Sequence, residues 1–458
     1  MKSKKSEENL RFIIMLVMGL AILIAIWMRG GFKSLFLDTD LGRDLYEMSN
    51  IWLGKIVWLG PRLSPGFPSS PIYYYVFFPF LWVARGNANS IFIANVLLAA
   101  SVLTIFAWFI KKQFNIWLVI PVMFFIGLSP WWRGNTIHPG NGYTYVLWLF
   151  LSLIFMWFEM PLFLSALSLG LAISYHPAAI FAILFLFYEW LRRKHSLISF
   201  SLILFGLLIP WVPIILFEII TKGFLTRSWM ANPATGIKLA VSFFNLQQII
   251  SGSGLGNVLF VLIFLFSALK TEGRSKTWLI LSFLPLIILL FLSNVQGHYL
   301  TGIVTAIMFV FVLNLLTNNL GRVIIVLVTF FFLIQILLIS PKPGLANRSI
   351  PKMSLIVERL IKSKKFDKNQ KIAVIAVLDN QTKVPQADDY RFFLRIKGFN
   401  VLESTEYAQA DKLIMFVEEA DFKWQDWQTW ETEQFGQRKV NSIIEFQKIK
   451  IIIFDKSF

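Results

Sequence analysis

The sequence predicts a polytopic α-helical membrane protein with a small α/β domain at its C-terminus. Three observations predict this. Hydrophobic residues fill 56% of 458 positions and charged residues only 15%, against roughly 25% charged in a soluble domain. Runs such as Phe12 to Trp27, Leu197 to Ile220 and Val323 to Ser340 approach the ~20 residues that span a bilayer. After Pro341 the pattern turns to short apolar runs between charged segments.

The first apolar run follows Lys2, Lys4 and Lys5, as a signal peptide would, but Trp27-Met28-Arg29 is a poor cleavage site. It reads as an uncleaved first helix. The net charge is +17. In a soluble protein that excess would suggest nucleic acid. Here much of it sits in short loops, where the positive-inside rule accounts for it, and no nucleic-acid partner is expected. Some of it is available to an anionic substrate at the membrane surface. The absence of cysteine removes disulfides, thiol catalysis and thiolate metal sites, and leaves the redox compartment open.

The basic segments set the topology. The N-terminus, Arg192 to His195 and Lys270 to Lys276 are expected in the cytoplasm. Leu197 to Ile220 then runs outward, and the loop from Thr221 to about Leu255 is external. Thr277 to Ser293 crosses outward, Leu300 to Leu316 inward, and Val323 to Ser340 outward, so the tail is extracytoplasmic. Upstream, Trp131 to Asn141 and Ser174 to Pro177 fall outside and Lys111-Lys112 inside. Residues 71–110 then need an odd number of crossings, yet hold two apolar runs, Pro71 to Ala84 and Ile91 to Ile110. The first is short for a span and reads as a half-helix; an external Lys111-Lys112 is the alternative. Twelve hydrophobic segments are visible where parity asks for an odd number, so the expectation is roughly eleven to thirteen transmembrane helices. The expected domains are 1–340, with an external loop at 29–70, and an α/β domain at 341–458.

In the tail, Lys371 to Asp379 has the character of a buried strand. Asp389 to Lys397 reads as a helix closed by Gly398. Lys412 to Val417 reads as a second strand, Trp424 to Gln434 as a helix closed by Gly436, and Ile443 to Phe454 as a strand.

Leu37-Asp38-Thr39-Asp40-Leu41-Gly42-Arg43-Asp44 follows the first apolar run directly. Carboxylates are costly beside hydrocarbon, so this cluster has two readings. In one, Asp38 or Asp40 caps a helix starting near Leu41, and Arg43 relieves the repulsion between Asp40 and Asp44. In the other, the cluster is a site. A Pro/Gly/Ser-rich loop, Gly60 to Pro71, follows, then Tyr73-Tyr74-Tyr75, which also suits an interfacial aromatic belt. The same external side collects Arg62, His138, His176, Glu218, Lys222, Arg227 and His298. Each has a local reading as well: snorkelling, capping or packing.

In order, Asp-x-Asp-x-Gly-Arg-Asp, Gly60-Pro61 and Pro71-Ile72-Tyr73-Tyr74-Tyr75 resemble the first external loop of GT-C membrane glycosyltransferases. The chain is most similar to bacterial relatives of protein O-mannosyltransferases and of lipid A aminoarabinose transferases. Ile137 to Asn141, Tyr175-His176-Pro177, Pro213 with Phe217-Glu218 and Gly223-Phe224, Gly297-His298-Tyr299, Asp389 to Leu394 and Ala410 to Leu413 follow in the expected order. The resemblance implies a GT-C fold and inverting transfer of a sugar from a polyprenyl-phosphate carrier to a protein, lipid or glycan acceptor. It implies an extracytoplasmic active site in a plasma (inner) membrane, and a prokaryotic origin. It places Asp40 as general base. Leu41 stands where many relatives have Glu, so Asp38 is a rival or a partner. Arg43, Asp44, Arg62, Tyr74, His138, His176, Glu218, Lys222, Arg227, His298 and Tyr299 are candidate substrate contacts.

The chemistry agrees with those residue types. A carboxylate can take the proton of a sugar hydroxyl as it attacks. A departing lipid phosphate needs positive charge, for which Arg227, Lys222, Arg62 and His298 are candidates and Arg227 the first choice. No metal is assigned, although Asp38-Thr39-Asp40 leaves Mg²⁺ or Mn²⁺ as an option. The competing functions are a transporter or flippase of lipid-linked saccharides and a membrane-anchored binding or assembly protein. Ionisable residues crowded on one face, and far more helices than an anchor needs, weigh against them.

Overall fold

The computed structural model describes residues 2–29, 36–62, 68–231, 272–290, 297–338, 348–378, 387–419, 422–425, 427–446 and 448–457. It is a membrane protein. Among the described residues, four helical stretches are long and apolar enough to cross a bilayer: Ser6–Trp27, Asn89–Gln113, Leu197–Ile220 and Asn319–Leu338. Ile116–Leu128 and Pro130–Ile137 make a fifth if their 67° bend is taken within one span. Shorter apolar helices, Ile72–Val83, Asn141–Trp157, Leu162–Tyr175 and Leu300–Leu316, accompany them. The expected crossing between Leu255 and Lys270 lies outside the described residues.

The chain packs as two units. One comprises Met1–Arg29, Trp58–Phe77 and Ser90–Pro341; the other comprises Gly30–Val57, Phe78–Asn89 and Lys342–Phe458. The helices are numbered in chain order: α1 (Lys2–Trp27), α2 (Thr39–Trp52), α3 (Ile72–Val83), α4 (Asn89–Gln113), α5 (Val119–Leu128), α6 (Pro130–Ile137), α7 (Asn141–Trp157), α8 (Leu162–Tyr175), α9 (Ile183–Arg192), α10 (Leu197–Leu208), α11 (Val212–Ile220) and α12 (Phe224–Ala231). Beyond them come α13 (Gly273–Leu290), α14 (Gly297–Leu316), α15 (Asn319–Leu338), α16 (Ile350–Lys362), α17 (Asp388–Ile396) and α18 (Trp430–Phe435).

In the first unit, α8 and α10 meet at two glycines. A Cβ on Gly170 would lie 2.6 Å from the Leu207 carbonyl oxygen, and one on Gly206 would lie 3.0 Å from that of Phe163. Small residues let helix backbones approach closely where burial from water supplies no drive. One end of this unit is basic. Lys111 Nζ donates to Asn9 Oδ1 at 2.6 Å, and Phe109 stacks on Phe158 at 4.5 Å. Arg192, Arg193 and Arg274 all pair with the buried carboxylate of Glu189. Arg274 also donates to the carbonyls of Met156 and Trp157. The basic segments expected on one side of the membrane therefore do gather at one end. Lys111 lies beside the N-terminal helix, and α3, with 12 residues, is too short to span. Of the two apolar runs in 71–110, α4 is the one long and apolar enough to cross.

The second unit is built on a five-stranded sheet of order β2-β1-β3-β5-β4. Its strands are β1 (Lys371–Val377), β2 (Asn400–Val401), β3 (Lys412–Val417), β4 (Arg438–Phe446) and β5 (Ile449–Lys456). β1 runs parallel to β2 and β3, whereas β5 is antiparallel to β3 and β4. β1 and β3 are buried nearly throughout, as parallel strands covered on both faces are. Two expectations change. The run Ile443 to Phe454 is not one strand but parts of two: the chain reverses between Phe446 and Ile449, which pair across the turn. Only Gln447 and Lys448 separate the two apolar stretches, with no glycine or proline between them to mark the reversal. The helix expected over Trp424 to Gln434 is confined to Trp430–Phe435, where the Thr429 side chain caps it. Helix α16, unassigned in the sequence, buries Ile350, Met353, Ile356, Val357 and Leu360, one stripe at helical spacing.

Candidate functional site

Helix α2 carries the carboxylate cluster, and its start follows from residue chemistry. Asp38 is extended, and its side chain accepts from the Leu41 amide at 2.7 Å, an N-cap. Asp40 lies in the first turn, where the helix dipole favours a negative charge. Its side chain is 76% exposed and pairs with Arg43 Nη1 at 2.8 Å. Arg43 turns its other donors to Asp44 Oδ1, at 2.9 Å from Nη2 and 3.1 Å from Nε.

Asp44 has no exposed surface. Burial pushes its carboxyl up to about 7, and the Arg43 charge and hydrogen bonds only partly oppose this. Capping and pairing thus both occur, on different residues. Asp38 caps, Asp44 is the buried partner of Arg43, and Asp40 keeps an open face.

Neighbours of α2 come from the sheet unit. Gly42 permits the approach of α17: a Cβ there would lie 3.0 Å from Asp389 Cβ and 3.3 Å from the Asp389 nitrogen. Asp389 pairs with Arg348, which also pairs with Glu418. Glu418 accepts from Tyr390 Oη at 2.8 Å. The Leu37 amide donates to the Arg348 carbonyl at 2.7 Å, and Phe36 bridges Ser349, so the strand entering α2 is tied to the start of α16.

Further along α2, the Arg395 guanidinium stands 4.0 Å over the Tyr46 ring. It bonds Asn50 Oδ1 at 2.8 Å and Glu403 Oε1 at 2.7 Å, while Tyr46 Oη donates to Glu403 Oε2 at 2.9 Å. Burial pushes the Glu403 carboxyl up, but the Arg395 hydrogen bond and charge outweigh it and hold the group below the usual range. Thr39, Asp40, Arg43, Leu378, Asp388 and Asp389 line a cleft of about 110 Å³, room for a hydroxyl-bearing group and water rather than a whole saccharide.

The remaining candidates belong to the first unit. Tyr74 is buried, edge-on to Tyr73. Tyr73 Oη donates to the Pro139 carbonyl at 2.8 Å, and its ring meets Tyr175 at 5.2 Å. Asn141 Nδ2 donates to the Tyr175 carbonyl at 3.2 Å. His138 stacks on Tyr143 at 4.9 Å, and His176 on Tyr145 at 5.1 Å. His176 Nδ1 also accepts from the Ala178 amide at 3.2 Å. Three separate motifs thus converge at one end of this unit.

Glu218, Lys222 and Arg227 share one turn. Glu218 caps α12 by accepting from Leu225 and Thr226 amides at 2.7 and 3.2 Å. Lys222 sits at φ 53° before Gly223. Arg227 Nη2 donates to the Thr221 carbonyl at 3.1 Å. Arg62 is exposed in a bridge with Pro68. His298 and Tyr299 begin α14, but their side chains lie outside the described residues.

No three His, Asp or Glu side chains gather as a metal site among the described residues. Asp38 is engaged in capping and Asp40 in an ion pair, which leaves a poor donor set for Mg²⁺ or Mn²⁺. Sequence reading missed Arg348, Glu418, Arg395 and Glu403. The available signal was polar residues inside the apolar stretch Asp389 to Arg395, all of it buried.

No family model matches the sequence, and no curated protein matches it. The structure is similar to ArnT from Cupriavidus metallidurans bound to undecaprenyl phosphate. That match has a TM-score of 0.60 over 96% of this chain and 97% of the other, at 11% identity. The apo state of ArnT matches over the same shares with a TM-score of 0.59 at 12% identity. The chain has a GT-C-like fold. Both units take part, because 96% coverage leaves room for neither to be omitted. Within the GT-C-like fold, α2 and its carboxylates belong to the unit built on the sheet.

Proposed function

We propose that the chain is an integral-membrane glycosyltransferase that moves a sugar from a polyprenyl-phosphate donor to an acceptor on the extracytoplasmic face, with Asp40 as general base. The observation that carries this is Asp40 itself. It is an exposed carboxylate at a helix start, aligned by Arg43 and lining a cleft, in a chain whose fold is shared with a protein solved with undecaprenyl phosphate. Asp38 is the weaker candidate because its carboxylate already holds the Leu41 amide.

In the reaction, the acceptor hydroxyl gives its proton to Asp40 as its oxygen bonds to the anomeric carbon. The bond from that carbon to the phosphate oxygen breaks on the opposite face, inverting the centre. The lipid monophosphate leaves with the bonding pair, and its charge calls for cationic side chains. Arg227, Lys222, Arg62 and His298 remain the candidates, Arg227 first. Sidedness is supported by the gathering of Arg192, Arg193, Arg274 and Lys111 at one end of the first unit, which positive-inside logic makes cytoplasmic. A plasma membrane of a prokaryote suits a polyprenyl carrier.

The test is release of polyprenyl phosphate from a labelled lipid–sugar donor. Asp40→Asn is expected to lower the rate by roughly 10²–10⁴-fold with the protein still monodisperse in detergent. Asp38→Asn preserves the cap, since Asn caps as well as Asp, and should stay active. The reverse pattern moves the base to Asp38. No release by the wild type sinks the transferase reading in favour of a flippase.

A further inference from the structure

A second concavity in the sheet unit, of about 510 Å³, lies away from the carboxylate cluster. One wall is the turn from Arg85 to Asn89; the other is formed by α16 and the end of α17. The turn is locked. Arg85 and Gly86 adopt φ 52° and 80°, and their amides close α3 on the carbonyls of Trp82 and Leu81. A Cβ on Gly86 would fall 2.3 Å from Ile396 Cγ2, so the Gly86 backbone rests directly on the Ile396 side chain and the two walls are in contact.

Its chemistry is two-sided. Ile350, Leu355, Phe393 and Ile396 supply apolar lining. Arg85 and Lys397 supply positive charge on opposite walls. Lys397 is half-exposed and only loosely paired, at 3.7 Å, with Glu358, the one carboxylate among the lining residues. Arg85 is exposed and has no carboxylate within ion-pair range among the described residues. Asn89 Oδ1 is buried with no hydrogen-bond partner among the described residues, an acceptor for a hydroxyl.

Position then limits the occupant. Asn89 is both a wall of the groove and the first residue of the membrane span Asn89–Gln113. The last turn of α3, just before Arg85, exposes Trp82 at 63% and Val83 at 74%. An aromatic shelf, two cations and a buried acceptor within a few residues of a span fit the headgroup level of a bilayer.

We infer that this groove binds an anionic phospholipid of the surrounding membrane whose headgroup carries hydroxyls. The phosphate lies between Arg85 and Lys397, a headgroup hydroxyl donates to Asn89, and the glycerol and first acyl carbons cover Leu355 and the exposed end of α3. The inference is independent of the transferase reading and uses none of its residues.

The test is hydrogen–deuterium exchange on the full chain in detergent, titrated with dioleoyl phosphatidylglycerol. Protection is expected in peptides covering residues 84–89 and 350–362. Arg85→Ala with Lys397→Ala should weaken the apparent affinity roughly thirty-fold, at about fivefold for each cation removed. Arg85→Lys with Lys397→Arg should keep it, which separates lost charge from misfolding. Dioleoyl phosphatidylcholine or inorganic phosphate giving equal protection overturns the proposal. So does protection that survives the double alanine variant, or none in the wild type.

Discussion

Glu189 and Asp44 are both carboxylates with no exposed side-chain surface, and each lies against arginine. Glu189, at the basic end of the first unit, receives Arg192, Arg193 and Arg274 together with the indole N–H of Trp278 at 2.9 Å. Asp44, on α2, receives Arg43, which is shared with the exposed Asp40. A buried charge persists where several guanidinium groups converge on it; at Asp44 burial outweighs the Arg43 charge and hydrogen bonds, and the proton returns. The first arrangement therefore ties helix ends together, whereas the second leaves a carboxyl able to titrate near neutrality beside the proposed base. Such titrating groups cluster at functional sites more than at structural ones.

The largest expected effect breaks this comparison directly. Glu189→Ala removes the buried carboxylate on which three guanidinium groups converge, leaving Arg192 and Arg274 the exposed Glu159 as their remaining acid, and losing one partner of a buried ion cluster costs about 3–5 kcal/mol. The thermal midpoint of the detergent-solubilised chain should fall accordingly. Asp44→Ala takes one carboxylate from Arg43, which keeps Asp40 and solvent, and should cost clearly less. Equal losses would show that the convergence of arginines on Glu189 does not distinguish the two sites.

Next in size is the packing that holds α2. Gly42→Leu inserts a side chain where even a Cβ lies 3.0 Å from Asp389, and overpacking of this kind costs typically about 1–3 kcal/mol. Exchange protection of α2 should drop while the helices around Glu189 keep theirs. A loss shared by both regions would mean that the second unit does not respond locally. If Asp40 is the base, transfer should fall in this variant as well, because a displaced base misses its geometry.

Much of this contrast was legible in the sequence, and the rest was not for identifiable reasons. Hydropathy exposes the spans because a bilayer demands long apolar runs. The basic loops around Arg192 and Arg274 were readable as one side of the membrane, but their convergence on Glu189 was not, since the residues lie 82 positions apart in sequence. The Asp-x-Asp cluster was visible, yet the division of labour among Asp38, Asp40 and Asp44 depends on which side chain points into protein. Arg348 and Glu418 carried no local pattern, because their pairing is made by the sheet. The hairpin hidden in Ile443 to Phe454 escaped for the opposite reason: only Gln447 and Lys448 separate its two strands, with no glycine, proline or asparagine to mark a turn.

The smallest effect is the pH response of α2, and its sign follows from Asp44. An unfolded aspartate titrates near 3.8 and the folded one near 7. Below the lower value both states hold the proton and stability does not depend on it. Between the two, the folded chain keeps a proton that the unfolded chain has lost, so stability falls as pH rises; above the upper value it is level again. Raising the pH from 5 to 7 should therefore lower the opening free energy of α2 by about 2 kcal/mol. Exchange in peptides covering residues 39–52, corrected for intrinsic rates, measures this. Asp44→Asn keeps the shape, removes the titrating group and should flatten the profile. The Glu189 end should show no matching slope over that range in either protein. A slope that persists in Asp44→Asn would assign the response to another carboxyl, with Glu47 next, because burial raises that group too.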